Sequence, residues 1–153
     1  MQDVAARLRA KVDVVESAFG MPILVDEVAK KLKQKNYKIV AIVHAETSTG
    51  VLNPVKEIGE LLKNSETIYL VDAVTSMGGI EILMDEWGID ALYSGTQKCL
   101  ACPPGLSPVS FSEKAVNVIK NRAEKVPNWY LDLSLIIAYW DGNSRAYHHT
   151  API

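Results

Sequence analysis

One lysine of this sequence is placed where it could act as a nucleophile. Lys98 follows a Ser-Gly-Thr turn and precedes Pro103-Pro104-Gly105, within the largely apolar stretch 93–105. An amine must be neutral to attack a carbonyl and form a Schiff base, and an apolar environment favours its neutral form. The same segment is also compatible with a lysine at a strand end whose ammonium group lies in water. Both interpretations of Lys98 remain open from this segment alone.

Two other polar positions could belong to the same site as that lysine. Asp72 directly follows a buried apolar run, and the small polar loop 44–50 follows another. A lysine and a carboxylate together suit pyridoxal phosphate, which needs an amine for its imine and an acid beside its pyridine nitrogen. An aspartate after an apolar strand also binds a ribose, holds a metal or caps a turn in other proteins. The sequence therefore predicts pyridoxal phosphate chemistry as one of several roles for Asp72.

The elements that position these polar residues are strands and helices that alternate along the chain. Strands are predicted at Lys11–Val15, Lys38–Val43, Thr67–Val71, Ala91–Ser94 and Leu106–Phe111. Helices are predicted at residues 3–11, around Val25–Leu32, from Ser112 to about Arg122, and from near Asp132 to Trp140. A further helix is predicted to have Asn53 as its N-cap and Pro54 as its first residue. Such alternation is typical of an α/β fold with a largely parallel sheet and flanking helices. Because ligands of these sheets bind outside the carboxyl ends of the strands, Asp72, the loop Glu46–Thr49 and the segment Thr96–Lys98 are expected to converge.

Composition excludes several functional classes. The 153 residues are 48% hydrophobic and 22% charged with a net charge of −2, which predicts one soluble domain without a nucleic-acid or anionic-membrane partner. No apolar run reaches the roughly 18 residues of a membrane span, and the first residues do not resemble a secretory signal. Two cysteines suit a reducing compartment. We expect an intracellular protein, with cytoplasm or an organelle left open.

Five segments together resemble one enzyme family. They are Val71–Ser76, Tyr93–Lys98, Pro103–Gly105, His44–Gly50 and Tyr147–Thr150, and they cover nearly the whole chain in the family's order. The combination is similar to the class V pyridoxal-phosphate aminotransferases, and most of all to their alanine–glyoxylate and serine–pyruvate branch. The resemblance implies the large domain of a fold-type I pyridoxal-phosphate enzyme.

The resemblance also implies catalytic roles at matching positions. Lys98 would attach the cofactor as a Schiff base and then carry the proton between substrate and cofactor. Asp72 would pair with the pyridinium nitrogen, and Val74 would pack against the ring. As an alternative, Val74 is an ordinary core residue.

Further positions would hold the cofactor's oxygens. By the resemblance, Gln97 and Thr47 would donate hydrogen bonds to cofactor or phosphate oxygens. Tyr147 and Thr150 would reach the phosphate of a neighbouring subunit's cofactor, which implies a homodimer. Structural alternatives are a turn position for Gln97 and a capping position for Thr47.

The cysteines and histidines allow a different interpretation. Cys99 and Cys102 have the spacing of a redox or metal motif, although a redox pair normally opens a helix instead of preceding Pro-Pro. Zinc requires about four ligands, and only three histidines accompany the cysteines. We therefore predict no metal site, and place His148 and His149 at the cofactor-side loop or interface.

Two features of the family have no counterpart in this sequence. There is no glycine-rich phosphate cradle, and Arg145 does not match the family's substrate-binding arginine. We expect residues 1–153 to be the central portion of the large domain, without the upstream cradle and the C-terminal domain. The expected reaction transfers an amino group between a small amino acid, such as alanine or serine, and glyoxylate or pyruvate. A related lyase or desulfurase, or an inactive folding and interaction unit, is the alternative.

Overall fold

A computed structural model of the chain describes residues 1–140, which divide into two compact units. The first unit, residues 1–112, contains the helices α1 (Gln2–Arg7), α2 (Val25–Gln34) and α3 (Val55–Leu62). Its strands are β1 (Ile39–Val43), β2 (Ala45–Glu46), β3 (Val51–Leu52), β4 (Ile68–Asp72), β5 (Ala91–Tyr93) and β6 (Val109–Phe111). The second unit begins at Glu113 and contains α4 (Glu113–Lys120), a 3-10 turn (Trp129–Leu131) and α5 (Leu133–Trp140).

The first unit is built on a four-stranded sheet in the order β1-β4-β5-β6. β1, β4 and β5 run parallel, whereas β6 pairs antiparallel with β5. The register pairs Val43 with Asp72, and Asp72 with Tyr93, so the three parallel strands end side by side. The predicted α/β fold with a largely parallel sheet is confirmed.

Helix α3 covers one face of this sheet. Its apolar residues Val55, Ile58 and Leu62 recur at helical spacing and are all buried against a core that includes Tyr69 and Val71 of β4. Tyr69 is 0% exposed, and its hydroxyl donates a hydrogen bond to the Val55 carbonyl oxygen at 2.9 Å. The helix thereby fixes β4, the strand that carries Asp72.

Replacing Gly59 with alanine is expected to destabilise the first unit. A Cβ atom at Gly59 would overlap the backbone carbonyl of Trp87, which has no flexible side-chain end to move away. Overpacking of this kind lowers the free energy of unfolding by about 1–3 kcal/mol. The higher helix propensity of alanine raises it by roughly 1 kcal/mol, so we expect a net loss of stability. Urea unfolding should show a lower free energy of unfolding for Gly59→Ala.

The neighbouring substitution Glu60→Ala is the control, because Glu60 is exposed in the same helix. It should leave the unfolding free energy within about 0.5 kcal/mol. A Gly59→Ala protein as stable as Glu60→Ala would contradict the close approach of α3 to Trp87.

Two local predictions are wrong. Residues 11–15 form no strand, and Asp13 instead binds the side chains of Lys35, at 2.6 Å, and Tyr37, also at 2.6 Å. Asn53 does not cap α3. Its amide donates to the Val43 carbonyl at 2.8 Å and its oxygen accepts from the Ile23 backbone N–H at 3.0 Å. In both cases a long-range partner satisfies a side chain that local propensity had assigned to a regular element.

The second unit agrees with its predicted helices to within two residues. Helix α4 buries Ala115 and helix α5 buries Ile137, whereas Trp129, Leu131 and Trp140 are exposed. No helix within residues 1–140 is both long and apolar enough to span a bilayer.

Candidate functional site

The carboxyl ends of β1, β4 and β5 form one edge of the sheet, tied by backbone hydrogen bonds. The N–H of His44 donates to the Asp72 carbonyl at 2.9 Å, and the N–H of Ala73 donates to the Tyr93 carbonyl at 2.9 Å. Each bond joins the residue that follows one strand to the last residue of its neighbour, β1 to β4 and β4 to β5. Asp72 and the segments that follow β1 and β5 therefore leave the sheet at the same edge, as the sequence predicts.

Two neutral donors hold the carboxylate of Asp72. The backbone N–H of Val74 donates to Oδ1 at 2.9 Å, and the hydroxyl of Tyr93 donates to Oδ2 at 2.6 Å. No lysine or arginine in residues 1–140 forms an ion pair with this carboxylate. Since two carboxylate oxygens can accept about four hydrogen bonds, Asp72 can still receive a cationic N–H donor.

Tyr93 is a site residue that sequence reasoning missed. Burial raises the pKa of its hydroxyl well above the ordinary value, and the neighbouring Asp72 carboxylate raises the pKa further. The hydroxyl therefore keeps its proton at neutral pH and acts as a donor. The signal in the sequence was a tyrosine in a predicted strand, but its contact with Asp72 depends on the register between β4 and β5.

The turn that carries Lys98 is docked on the loop after Asp72. The thiol of Cys99 donates to the Thr75 carbonyl oxygen at 2.9 Å, and its sulfur would lie 2.7 Å from a Cβ at Gly79. A side chain at position 79 would require the Cys99 side chain to move. Gly78 and Gly79 form a turn that lets the segment after β5 pack against the segment after β4.

Backbone and side-chain hydrogen bonds shape the lysine turn itself. The Lys98 carbonyl accepts from Ala101 N–H at 2.9 Å, and the Thr96 carbonyl accepts from Cys102 N–H at 3.0 Å. The hydroxyl of Thr96 donates to the Pro103 carbonyl at 2.6 Å. The turn is thus held by groups other than the lysine side chain.

The side chain of Lys98 is exposed in the described residues, which is one of the two environments that its segment allows. Lys98 is exposed, and so are its neighbours Gln97 and Ala101, while Leu100 is only half-buried. Its apolar neighbours do not enclose the amine, because Ala101 is itself exposed and Leu100 lies against Gly78. In residues 1–140 the structure matches the alternative interpretation, a lysine at a strand end with its head in water.

Thr47 joins the same edge of the sheet. Its hydroxyl is hydrogen-bonded to the Thr75 hydroxyl at 2.7 Å, which links the β2–β3 loop to the loop after Asp72. At the end of β2, the Glu46 carboxylate accepts from Ser48 N–H at 3.0 Å and from the Ser48 hydroxyl at 2.9 Å, and these bonds lower the pKa of Glu46. Val74 is half-buried beside Asp72. Tyr147 and Thr150 lie outside the described residues.

His44 and Ser76 are buried behind the edge and were also missed as a pair. His44 is 4% exposed, its Nδ1 lies 3.1 Å from the Ser76 hydroxyl, and burial lowers the pKa of the imidazole. The ring meets Trp87 edge-on, with centroids 5.8 Å apart. His44 and Trp87 line a cleft of about 500 Å³ that Asp72 and Lys98 do not line.

Cys99 and Cys102 are free, exposed thiols. Within residues 1–140 no cluster of three or more histidine, cysteine, aspartate or glutamate side chains has the arrangement of a metal site. The thiol of Cys102 donates to the Leu100 carbonyl at 3.2 Å, so each cysteine contacts a different backbone carbonyl.

Comparison with known proteins places this fold in a family. The model of the aminotransferase class-V family matches residues 1–126. Alanine–glyoxylate aminotransferase of Oryctolagus cuniculus is 42% identical over 153 residues, which is 99% of this chain and 39% of that protein. The chain thus spans about two fifths of the length of this relative.

Solved structures agree with that match. The alanine–glyoxylate aminotransferase of Nostoc sp. superposes with a TM-score of 0.90 at 44% identity, covering 99% of this chain and 40% of that one. The ureidoglycine–glyoxylate aminotransferase of Bacillus subtilis gives a TM-score of 0.93 at 39% identity, covering 99% and 39%. A cysteine desulfurase of Thermococcus onnurineus is less similar, with 27% identity and a TM-score of 0.65 over 74% of this chain and 28% of that one. The chain belongs to the class-V aminotransferase family.

Proposed function

We propose that the protein containing this chain is a pyridoxal-phosphate-dependent aminotransferase. It transfers an amino group between a small amino acid, such as alanine or serine, and a 2-oxo acid, such as glyoxylate or pyruvate. The observation that carries the proposal is the Asp72 carboxylate, held by two neutral donors and without an ion-pair partner in residues 1–140. The alanine–glyoxylate aminotransferases among its relatives support this substrate class.

The residues at the sheet edge fit the cofactor. Asp72 offers a negative charge with spare acceptor sites for a protonated pyridine nitrogen, and Lys98 offers an accessible amine on a turn docked beside the Asp72 loop. Val74, fixed by its N–H bond to Asp72, would contact the ring. The bound cofactor supplies an electron sink for the charge that develops at the substrate's α-carbon.

Each polar residue then has a defined task. Lys98 would provide the amine that holds the cofactor and, once the substrate's amine has displaced it, the free amine would take the proton from the substrate's α-carbon. Asp72 keeps the ring nitrogen protonated. Thr47 and Gln97 donate hydrogen bonds to cofactor or phosphate oxygens, since both are exposed at this edge.

The remaining parts of the site come from elsewhere in the protein. We propose that residues 1–153 are the central portion of the large domain, and that an upstream segment supplies the phosphate cradle. A C-terminal domain supplies the substrate-binding arginine. Tyr147 and Thr150 bind the phosphate of a neighbouring subunit's cofactor in a homodimer. Enclosure of Lys98 by such segments explains why the described residues leave it exposed.

A desulfurase is supported less well. Desulfuration needs a cysteine on a mobile loop that can carry a persulfide, whereas Cys99 is tied to the Thr75 carbonyl within a tight turn. The sequence identity to the cysteine desulfurase is also lower than that to the aminotransferases. The third possibility is that the 153-residue chain, taken alone, is an inactive folding and interaction unit, and it says nothing of the complete protein.

Reconstitution with pyridoxal phosphate tests the proposal. In the complete protein, borohydride reduction followed by peptide mapping should place the label on Lys98, and the protein should convert alanine or serine with glyoxylate or pyruvate. The isolated chain should turn over no substrate, because the proposed phosphate cradle and substrate-binding arginine come from other segments of the protein. The surface lysine Lys33 serves as the internal control for nonspecific labelling.

Equal labelling of Lys98 and Lys33 in the complete protein would overturn the proposed site. Label on Lys98 without transfer from any of the small amino acids would overturn the proposed reaction but keep the cofactor assignment. Transaminase activity of the isolated chain at an enzyme-like rate, about 1 s⁻¹ or more, would contradict the need for further segments.

A further inference from the structure

We propose that Tyr93 is a positioning residue that fixes the Asp72 carboxylate in the orientation in which it meets the cofactor. This inference rests on the proposed function and extends the site by one residue. It follows from the pairing of β4 with β5 and from the hydrogen bonds around Asp72.

Sheet register places the two side chains on one face. Asp72 and Tyr93 are direct partners in the parallel pairing of β4 and β5. Directly paired residues of adjacent strands point to the same side of a sheet, so the phenol ring of Tyr93 lies next to the carboxylate. The hydroxyl reaches Oδ2 at 2.6 Å, a distance typical of an O–H donor to an ionised carboxylate.

The two donors act on different oxygens. Val74 N–H binds Oδ1 and Tyr93 O–H binds Oδ2, so rotation of the carboxylate would break at least one bond. Without Tyr93, only the Val74 bond would orient the group, and it is part of a local turn that moves with Asp72. The hydrogen bond from Tyr93 is thus the contact that fixes the Asp72 carboxylate relative to the neighbouring strand β5.

Tyr93 orients the carboxylate without cancelling its charge. An arginine or lysine at this place would hold Asp72 equally well but would compete with a protonated ring nitrogen. Burial, and then the Asp72 carboxylate, raise the pKa of the Tyr93 hydroxyl, so the donor stays neutral throughout the physiological range. The full negative charge of Asp72 therefore remains available to one cation.

Removing the Tyr93 hydroxyl tests this role. In the complete protein, Tyr93→Phe should raise the dissociation constant of pyridoxal phosphate about tenfold, since a hydrogen bond to a charged group is lost. The absorption band of the bound cofactor should also move, because Asp72 no longer meets the ring nitrogen in a fixed geometry. Equilibrium titration of the apoprotein measures both quantities.

Tyr69→Phe is the matched control. Tyr69 lies on β4, and its hydroxyl also donates one hydrogen bond, to the Val55 carbonyl, away from Asp72. Tyr69→Phe should lower thermal stability but leave the cofactor's dissociation constant and absorption band unchanged. If the two variants weaken cofactor binding equally, Tyr93 has a purely structural role and the inference is overturned.

A second measurement needs no cofactor. In the apoprotein labelled at tyrosine Cζ, the Tyr93 signal, assigned by its loss in Tyr93→Phe, should titrate above the ordinary pH range of a tyrosine hydroxyl. Asp72→Asn should lower the pKa of Tyr93, because a negative acceptor is removed. An unchanged Tyr93 titration in Asp72→Asn would overturn the contact itself.

These outcomes separate the inference from the proposed function. If the wild-type protein fails to bind pyridoxal phosphate, the proposed function is overturned, although the Tyr93 titration still reports the contact. If the wild-type protein binds the cofactor and Tyr93→Phe behaves as Tyr69→Phe does, only the positioning role of Tyr93 is lost.

Discussion

Lys98→Ala is expected to abolish transamination by the complete protein. The substitution removes both the amine that attaches the cofactor and the base that moves the proton, and proton transfer alone contributes about 10²–10⁴-fold to rate. We expect kcat to fall by about 10⁴-fold or more, with no borohydride-trapped label at position 98. The measurement is alanine-to-glyoxylate transfer, combined with peptide mapping of the reduced protein.

The fold should survive this substitution. The turn around Lys98 is held by its backbone carbonyl, by the Thr96–Pro103 hydrogen bond and by the Cys99–Thr75 contact, none of which uses the lysine side chain. Thermal unfolding of Lys98→Ala should therefore match the wild type, and Lys33→Ala should match it in both stability and activity. A Lys98→Ala protein with more than about a tenth of wild-type kcat would show that another group carries the proton.

The position of Asp72 could be predicted from sequence for a simple reason. Lys38–Val43 and Thr67–Val71 are short, largely apolar runs, which predict strands, and Asp72 is the first polar residue after the second run. Parallel strands then bring such residues to one edge of the sheet. Strand ends separated by dozens of residues were thus placed together without knowledge of any contact.

The contact between Tyr93 and Asp72 could not be predicted in the same way. It depends on a register in which Asp72 pairs directly with Tyr93, and a shift by one residue would turn the tyrosine to the opposite face. Nothing in the local sequence of either strand specifies that register. It is set by packing, with Val71 and Leu92 buried next to these two residues.

The exposure of Lys98 shows a second limit of sequence reasoning. Leu100 and Ala101 predict an apolar environment, but a side chain is buried by residues that approach it in space. Ala101 is exposed and Leu100 lies against Gly78, so neither residue buries the amine. The same limit applies to residues 11–15, where alternation predicts a strand although Asp13 binds Lys35 and Tyr37 instead of joining a sheet.

Asp72→Asn is expected to lower kcat by about 10²–10³-fold, as the loss of one preorganised electrostatic group does in other enzymes. The amide has the shape of the carboxylate but no charge, so the protonated pyridine nitrogen loses its counter-ion. The fold should be preserved. The amide oxygen can accept from Val74 N–H, and the Tyr93 hydroxyl can rotate to accept from the amide nitrogen.

Steady-state transfer from alanine to glyoxylate measures this loss, with Asp85→Asn as the control because Asp85 is an exposed carboxylate. The effect should exceed that of Tyr93→Phe, since one substitution removes the charge and the other only its orientation. If Asp72→Asn retains kcat within about threefold of Asp85→Asn, the charge of Asp72 makes no electrostatic contribution to the reaction. The acid beside the ring nitrogen would then have to be a different residue.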